Sequence, residues 1–342
     1  MKKKVLIVFK YPHAWNENVI NKFSNYYDII HLYISEYKNL NFKEVIKNIN
    51  NIIKSKNIDI TVFDPDYFKF INLFFIEQII SKKKVLMIGD DIGLHEFHSI
   101  TASKCDLVLN SDPMAVLKYQ EKGYDSKFFQ FEFAQLKNNS NIRKEINVLF
   151  YGHLTPDRKS YLDYIKKEGI EVKNVSHENN TVGIPKDELL NLIEKSKIVL
   201  NFSKTRTTFV QNLESENIYK YHYQLKGKMI VAGLKGTMCV SEYSPGQELL
   251  FGNKAAPMFY TKEECVTILK KFLSDESLLL DSTNKFAKKV RDICEDDKNF
   301  DPIYDFLEKP SKKKIELIKI PYWYLRIAAK QIMLRNLSLS TL

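Results

Sequence analysis

The chain has 342 residues, 44% of them hydrophobic and 13% aromatic, with 52 Lys and Arg against 42 Asp and Glu for a formal charge of +10. That apolar content excludes a disordered chain, and the length passes the roughly 250–300 residues at which single cores divide, so two domains are expected. The charge is lopsided: residues 309–342 hold eight cations against one anion, so this tail carries +7 and the other residues together +3. A general nucleic-acid binder needs its basic footprint on the folded body, so nucleic acid is not the expected partner.

Short apolar runs alternate with longer amphipathic stretches, the rhythm of a parallel α/β sheet. In the first half, strands are expected at Val5–Phe9, Ile29–Tyr33, Ile58–Phe63, Lys84–Ile88, Leu107–Asn110 and Lys127–Phe131, with helices such as Asp66–Ser81 and Asp112–Lys122 between them. The polar stretch Lys137-Asn-Asn-Ser-Asn-Ile-Arg143 reads as a linker, placing a first domain at 1–136 and a linker at 137–146. The rhythm restarts with strands at Asn147–Tyr151, Glu171–Val175, Ile198–Phe202, Met238–Ser241 and Met258–Tyr260. Helices fit Asp157–Lys167, Lys186–Lys195, the stretch around Tyr223–Gly233, Lys262–Leu273 and Glu276–Cys294, so a second domain is expected at 147–300 and a crossing tail at 301–342. Two Rossmann-like halves facing each other across a cleft follow, and ligands in such sheets sit beyond the carboxyl ends of strands.

Cys105, Cys239, Cys265 and Cys294 are widely spaced, which argues for a reducing compartment and against a disulfide framework or a zinc site. The opening Met1-Lys-Lys-Lys4 has the charge of a signal peptide, but the apolar run Val5–Phe9 is too short for one and ends in Lys10. No run of about 18 apolar residues is present, so no bilayer span is expected. A cytoplasmic location is the expectation.

No glycine-rich dinucleotide fingerprint follows the first strand, and no P-loop, G-x-S-x-G or H-E-x-x-H motif occurs. His95-Glu-Phe-His98 lacks a third ligand and reads as a helix-face pair rather than a metal site. Asp90 and Asp91 end a strand, where a carboxylate can hold a sugar hydroxyl or act as base; Asp91 also fits the cap of the next helix. Tyr151-Gly-His-Leu-Thr-Pro-Asp-Arg158 leads from a strand into a helix. There Gly152 permits close approach, and Arg158 offers a fork to phosphate or lies on the surface of the first turn. Val182-Gly-Ile-Pro-Lys186 is a turn that can offer backbone groups to a base, or simply start a helix.

The most informative stretch runs from Gln224-Leu-Lys-Gly-Lys228 to Ser241-Glu-Tyr-Ser-Pro-Gly-Gln-Glu248. Amides of the helix opening at Ser244-Pro245-Gly246, next to Tyr243, suit a diphosphate. Lys226 and Lys228 can neutralise that diphosphate or form a solvated helix face, and Glu242 or Glu248 can accept hydrogen bonds from sugar hydroxyls.

At these residues the sequence resembles the CgeB-like branch of GT-B glycosyltransferases, whose pattern runs Q-L-K-G-R-x-F-E and then [ST]-E-Y-x-P-G-x-E. Asp90-Asp91, Cys105 to Asp112, Val148 to Arg158 and Ser196-Lys-Ile-Val-Leu-Asn-Phe202 resemble further family stretches in the same order. The resemblance implies a metal-independent transferase, binding an acceptor with its N-terminal domain and holding a nucleotide sugar, of UDP or GDP type, with its C-terminal domain. It requires no cofactor beyond that co-substrate. On that pattern Gly152 and Arg158 face the phosphates and Gly183 lies near the base. Gln224, Lys226, Lys228, Glu242, Tyr243, Ser244, Gly246 and Glu248 surround diphosphate and sugar, and the relatives suggest retention at the anomeric carbon. An inverting route would use Asp90 or Asp91 as base. Val231 stands where the family has a glutamate that helps hold ribose, so donor affinity is weakened or the site has lapsed into a scaffold.

In the tail, Tyr322–Leu337 mixes Trp323, Leu325 and Ile327 with Arg326, Lys330 and Arg335. Aromatic residues beside cations suit an anionic membrane surface, while a helix packed back on the N-terminal domain is the other reading. The expected acceptor is a glycan, glycolipid or protein, in bacterial surface glycan synthesis, with the enzyme peripheral at the inner face of the membrane.

Overall fold

The computed structural model describes residues 2–13, 15–65, 70–89, 91, 94–130, 142–177, 184–204, 223–310 and 319–336. These form two compact α/β units: residues 2–130 with 299–336, and the described residues of 142–298.

The first unit runs β1 (Lys4–Phe9), α1 (Asn16–Ser24), β2 (Asp28–Tyr33), α2 (Phe42–Lys56), β3 (Ile60–Phe63), α3 (Leu73–Glu77), β4 (Lys83–Ile88), α4 (His95–Ala102), β5 (Leu107–Asn110), α5 (Pro113–Glu121) and β6 (Ser126–Phe128). All six strands are parallel, in the order β2-β1-β3-β4-β5-β6. Helices cover both faces of such a sheet, so its strands read as continuous apolar runs; Val5 to Phe9 and Val85 to Ile88 are all buried. Local signals fix the helices. Asn41 and Glu44 form a reciprocal capping box at α2, which stops at Asn57 with a left-handed φ of 54°. Asp112 accepts from the Met114 amide and Pro113 opens α5. The expected helix at Asp66–Ser81 is shorter in the structure: Asn72 caps α3 at Leu73, and residues 66–69 lie outside the described residues.

The second unit runs β7 (Ile146–His153), α6 (Pro156–Lys167), β8 (Val172–His177), α7 (Lys186–Glu194), β9 (Ser196–Asn201), α8 (Gly227–Leu234), β10 (Met238–Glu242), α9 (Pro245–Ala255), β11 (Met258–Phe259), α10 (Lys262–Ser274) and α11 (Glu276–Cys294). Its five parallel strands are ordered β11-β10-β9-β7-β8. From β7 the chain goes outward to β8 and then returns past β7 to β9, so the topological switch point lies between β7 and β9.

After the single turn α12 (Asp296–Asn299), two helices belong to the first unit again: α13 (Asp301–Glu308) and α14 (Tyr322–Asn336). Phe300 packs its ring on Phe23 and Tyr26 at 4.9 and 4.5 Å. The Lys83 ammonium donates to the Leu307 carbonyl at 2.6 Å, tying the end of α13 to the start of β4. For α14 the packed alternative holds. Tyr324 is fully buried, its hydroxyl accepts from the Leu73 amide at 2.7 Å and meets Thr101 Oγ1 at 2.9 Å. Arg335 is 3% exposed and donates to the carbonyls of Leu40 and Tyr37. Tyr322, Leu325 and Met333 on the other side of the helix are exposed. Among the described residues, no helix is long and apolar enough to cross a membrane.

Candidate functional site

The carboxyl end of β7 is where the side chains gather. Gly152 has φ +102°, a conformation L side chains rarely adopt. A Cβ built there would lie 2.5 Å from Lys228 Nζ. Lys228 comes from the first turn of α8; its ammonium donates to the Tyr151 carbonyl at 2.5 Å and lies 4.6 Å from the centre of the Tyr151 ring. The glycine is therefore the vacancy that admits the lysine, and the two elements meet over it.

Arg158 spans the switch point. Thr155 caps α6 by accepting from the Arg158 amide, and Pro156 opens the helix, which fixes where the arginine emerges. Its guanidinium donates to the carbonyl of His153, the last residue of β7, at 2.8 Å and to the Lys204 carbonyl, beyond β9, at 3.1 Å. It is 9% exposed and lies 5.9 Å from the Phe202 ring. Among the readings open for Arg158, the solvated surface position does not hold: it laces two strand-end loops together.

Glu242, at the end of β10, is 4% exposed and accepts the Lys204 amide at 2.9 Å. Burial pushes its carboxyl up, against the opposing pull of that amide and of the Lys204 and Arg158 charges. It thus holds the β9 loop from the other side. Gln224 is buried, its amide donates to the Ser203 carbonyl at 3.1 Å, and its side-chain oxygen accepts from Lys226 at 3.2 Å. Lys226 immediately precedes α8, whose first turn has no side-chain cap. Its leading amides and the cations around them make an anion-favouring corner.

The second expected helix start is arranged differently. Ser244 caps α9 by accepting from the Gln247 amide, and Pro245 has no amide to give, which leaves Gly246 as the available donor in that turn. Glu248 is exposed and accepts from the Tyr243 hydroxyl at 3.0 Å. Tyr243 also stacks on Tyr260, centroids 4.7 Å apart, and meets Tyr223 edge-on at 6.2 Å. Gly152, Arg158, Gln224, Lys226, Lys228 and Glu242 are thus joined through the ends of β7, β9 and β10. Tyr243, Ser244, Gly246 and Glu248 line the adjoining turn. Val231 lies three residues beyond Lys228 on α8, on the same face. Gly183 lies outside the described residues.

Sequence reasoning missed Lys204, Tyr223 and Tyr260. Lys204 was within reach, because it directly follows β9 at the switch point. Tyr223 and Tyr260 join only through tertiary packing and carry no local signal.

In the first unit, Asp90 lies outside the described residues. Asp91 is 2% exposed, and its carboxylate accepts from His95 Nδ1 at 2.6 Å, His98 Nδ1 at 2.8 Å and the Tyr119 hydroxyl at 3.1 Å. Burial alone would raise this carboxyl, but the bonds from both histidines outweigh it and hold it well below the usual range. Asp91 is not the side-chain cap of α4, whose cap position is Leu94. It grips the first turns of the helix through the two imidazoles, which is what the His95-x-x-His98 spacing provides.

No family model matches the chain, and no curated protein does. Solved structures do. An alpha-glucosyltransferase in complex with UDP and a 13-mer DNA containing an HMU base aligns over 90% of this chain and 100% of its own, at TM-score 0.59 and 13% identity. Sucrose-phosphate synthase from Thermosynechococcus elongatus aligns over 90% of this chain and 99% of its own, at 0.59 and 6%. TarM of S. aureus, in complex with Fondaparinux, alpha-GlcNAc-glycerol and UDP, aligns over 73% of this chain and 55% of its own, at 0.53 and 11%. The fold is the one these enzymes share, the pair of parallel α/β units of GT-B glycosyltransferases.

Proposed function

We propose that the chain is a glycosyltransferase that moves a sugar from a nucleoside-diphosphate sugar to an acceptor hydroxyl. The observation that carries this reading is the Lys228 ammonium seated over Gly152, beside the uncapped start of α8 and at the switch point of the second sheet. A diphosphate there would meet Lys226, Lys228 and the leading amides of α8, while the Tyr243–Tyr260 stack offers an aromatic surface nearby. Gly246 and Glu248 would contact the sugar. UDP or GDP is the expected carrier; the alpha-glucosyltransferase and TarM structures named above hold UDP.

In this reaction the acceptor oxygen attacks the anomeric carbon and the bond from that carbon to the diphosphate oxygen breaks. The acceptor proton passes to the departing diphosphate. We favour a retaining, metal-independent route; the bonds of Asp91 to His95, His98 and Tyr119 hold its carboxylate in place, which argues against Asp91 as the base of an inverting one. The acceptor domain is then the first unit, and the acceptor a glycan, glycolipid or protein of bacterial surface synthesis. The exposed side of α14, where Leu325 and Met333 stand with Arg326 and Lys330, suits an anionic membrane surface and a peripheral location at its inner face.

Incubating the protein with UDP and GDP sugars, alone and with candidate acceptors, tests the reading. Release of nucleoside diphosphate with retention of the anomeric configuration is the expected result. Donor binding without turnover on any acceptor would instead favour a lapsed scaffold, for which Val231 is the residue to blame.

A further inference from the structure

The second unit has a cavity of about 540 Å³ at the amino ends of its strands, where Lys144 precedes β7, Lys197 enters β9 and Gly236 precedes β10. The candidate donor site lies at the carboxyl ends of the same parallel strands, so the two are separated by a strand length, roughly 20 Å. The volume falls within the range of about 300–1,000 Å³ typical of small-ligand sites. It is not general slackness in the packing. On α11, which forms one wall, a Cβ added to Gly233 of α8 would lie 2.4 Å from Val290, so that part of the helix is closely filled. The gap lies along an adjacent face of α11, at Leu279, Thr283, Ala287 and Arg291.

The lining combines an apolar floor, including Phe272 and Leu279, with Lys144, Lys197 and Arg291. Of its two acids, Glu194 is already neutralised by Lys235 at 3.0 Å, which leaves three cations against Glu276. Lys144 donates to the Gly236 carbonyl at 3.0 Å and to Thr237 Oγ1 at 2.8 Å. An ammonium has three protons, and among the described residues the third has no hydrogen-bond partner.

We infer that this cavity is a second ligand site, separate from the donor site, for an anion with an apolar body: a carboxylate or phosphate head on Lys144 and a short aliphatic chain against Phe272 and Leu279. Burial supports this by pushing the Lys144 amine down to about 8, with the neighbouring Glu194 opposing the shift; an anion would relieve that cost.

Calorimetry on the full chain tests the inference with octanoate and octyl phosphate, using octanol and acetate as controls for the body and the head. At least one of the two anions should bind saturably and about tenfold or more tighter than octanol or acetate, and the better of them names the head group. Lys144→Met should weaken that anion by about tenfold, and Asn284→Trp, an exposed change at the cavity wall, should abolish its binding. Trace acetylation gives an independent reading, because bound anion should protect Lys144. UDP binding should be unchanged in both variants, which separates this inference from the proposed donor site. Binding of neither anion, equal binding of octanol, or unchanged affinity in both variants would overturn it.

Discussion

The Nζ of Lys228 occupies the space that a β-carbon on Gly152 would take, with only 2.5 Å between the two positions. The loop after β7 and the start of α8 are therefore fitted to each other through the absence of a side chain. Gly152→Ala should displace the ammonium and also strain a backbone held at φ +102°. A stability loss of about 1–2 kcal/mol is expected, with nucleoside-diphosphate affinity falling about tenfold or more. Denaturant titration and calorimetry on one preparation check both. If the alanine variant bound nucleotide as well as the parent, Lys228 would not be placed by that vacancy.

Arg158 holds two loop carbonyls with one guanidinium, so its shape matters as well as its charge. Arg158→Lys keeps the charge and loses the fork. It should weaken donor binding nearly as much as Arg158→Ala, by about 1.5–3 kcal/mol. Retained affinity in the lysine variant would mean that charge alone suffices.

How much of this was legible in the chain depends on the range of the interactions. Strands such as Val5–Phe9 and caps such as Asn41–Glu44 are written in neighbouring residues, so the parallel α/β organisation follows from the sequence. The Gly152, Arg158 and Gln224-to-Lys228 positions can be picked out as candidates in the sequence because strand ends and helix starts are local features. What those residues touch was not legible. That Arg158 bonds Lys204, 46 residues away, and that Glu242 holds the Lys204 amide depend on strand order. Likewise the aromatic and cationic composition of α14 does not say which side is buried; Tyr324 and Arg335 face the first unit because partners exist there.

Asp91 gives a pH dependence with a definite sign. Its folded carboxyl titrates below the ordinary unfolded value of about 3.9, so its stabilisation is fully present above that pH and is lost as pH falls through the lower, folded value. An amide offers one acceptor oxygen where the carboxylate offers two. Asp91→Asn should therefore lose about 3 kcal/mol at neutral pH, and the gap from the parent should narrow below pH about 4. Thermal melts across that range check it. A gap constant with pH would show that the ionised carboxylate is not what grips α4.

The two sides of α14 are separable. Tyr324→Phe leaves the Leu73 amide without its buried acceptor and should destabilise the protein by about 1–3 kcal/mol, read by denaturant titration. Arg326→Glu with Lys330→Glu, on exposed positions, should leave stability within about 0.5 kcal/mol and abolish flotation on vesicles rich in anionic lipid. Unchanged flotation would remove the membrane from the account.

The central claim is that the ends of β7 and β9 and the start of α8 form a nucleoside-diphosphate site. Calorimetric titration of UDP and GDP into the full chain and into Lys228→Ala tests it most directly. The account predicts saturable one-to-one binding of at least one of them, weakened about tenfold or more in the variant. No binding of either nucleotide, or equal binding by both proteins, would contradict it.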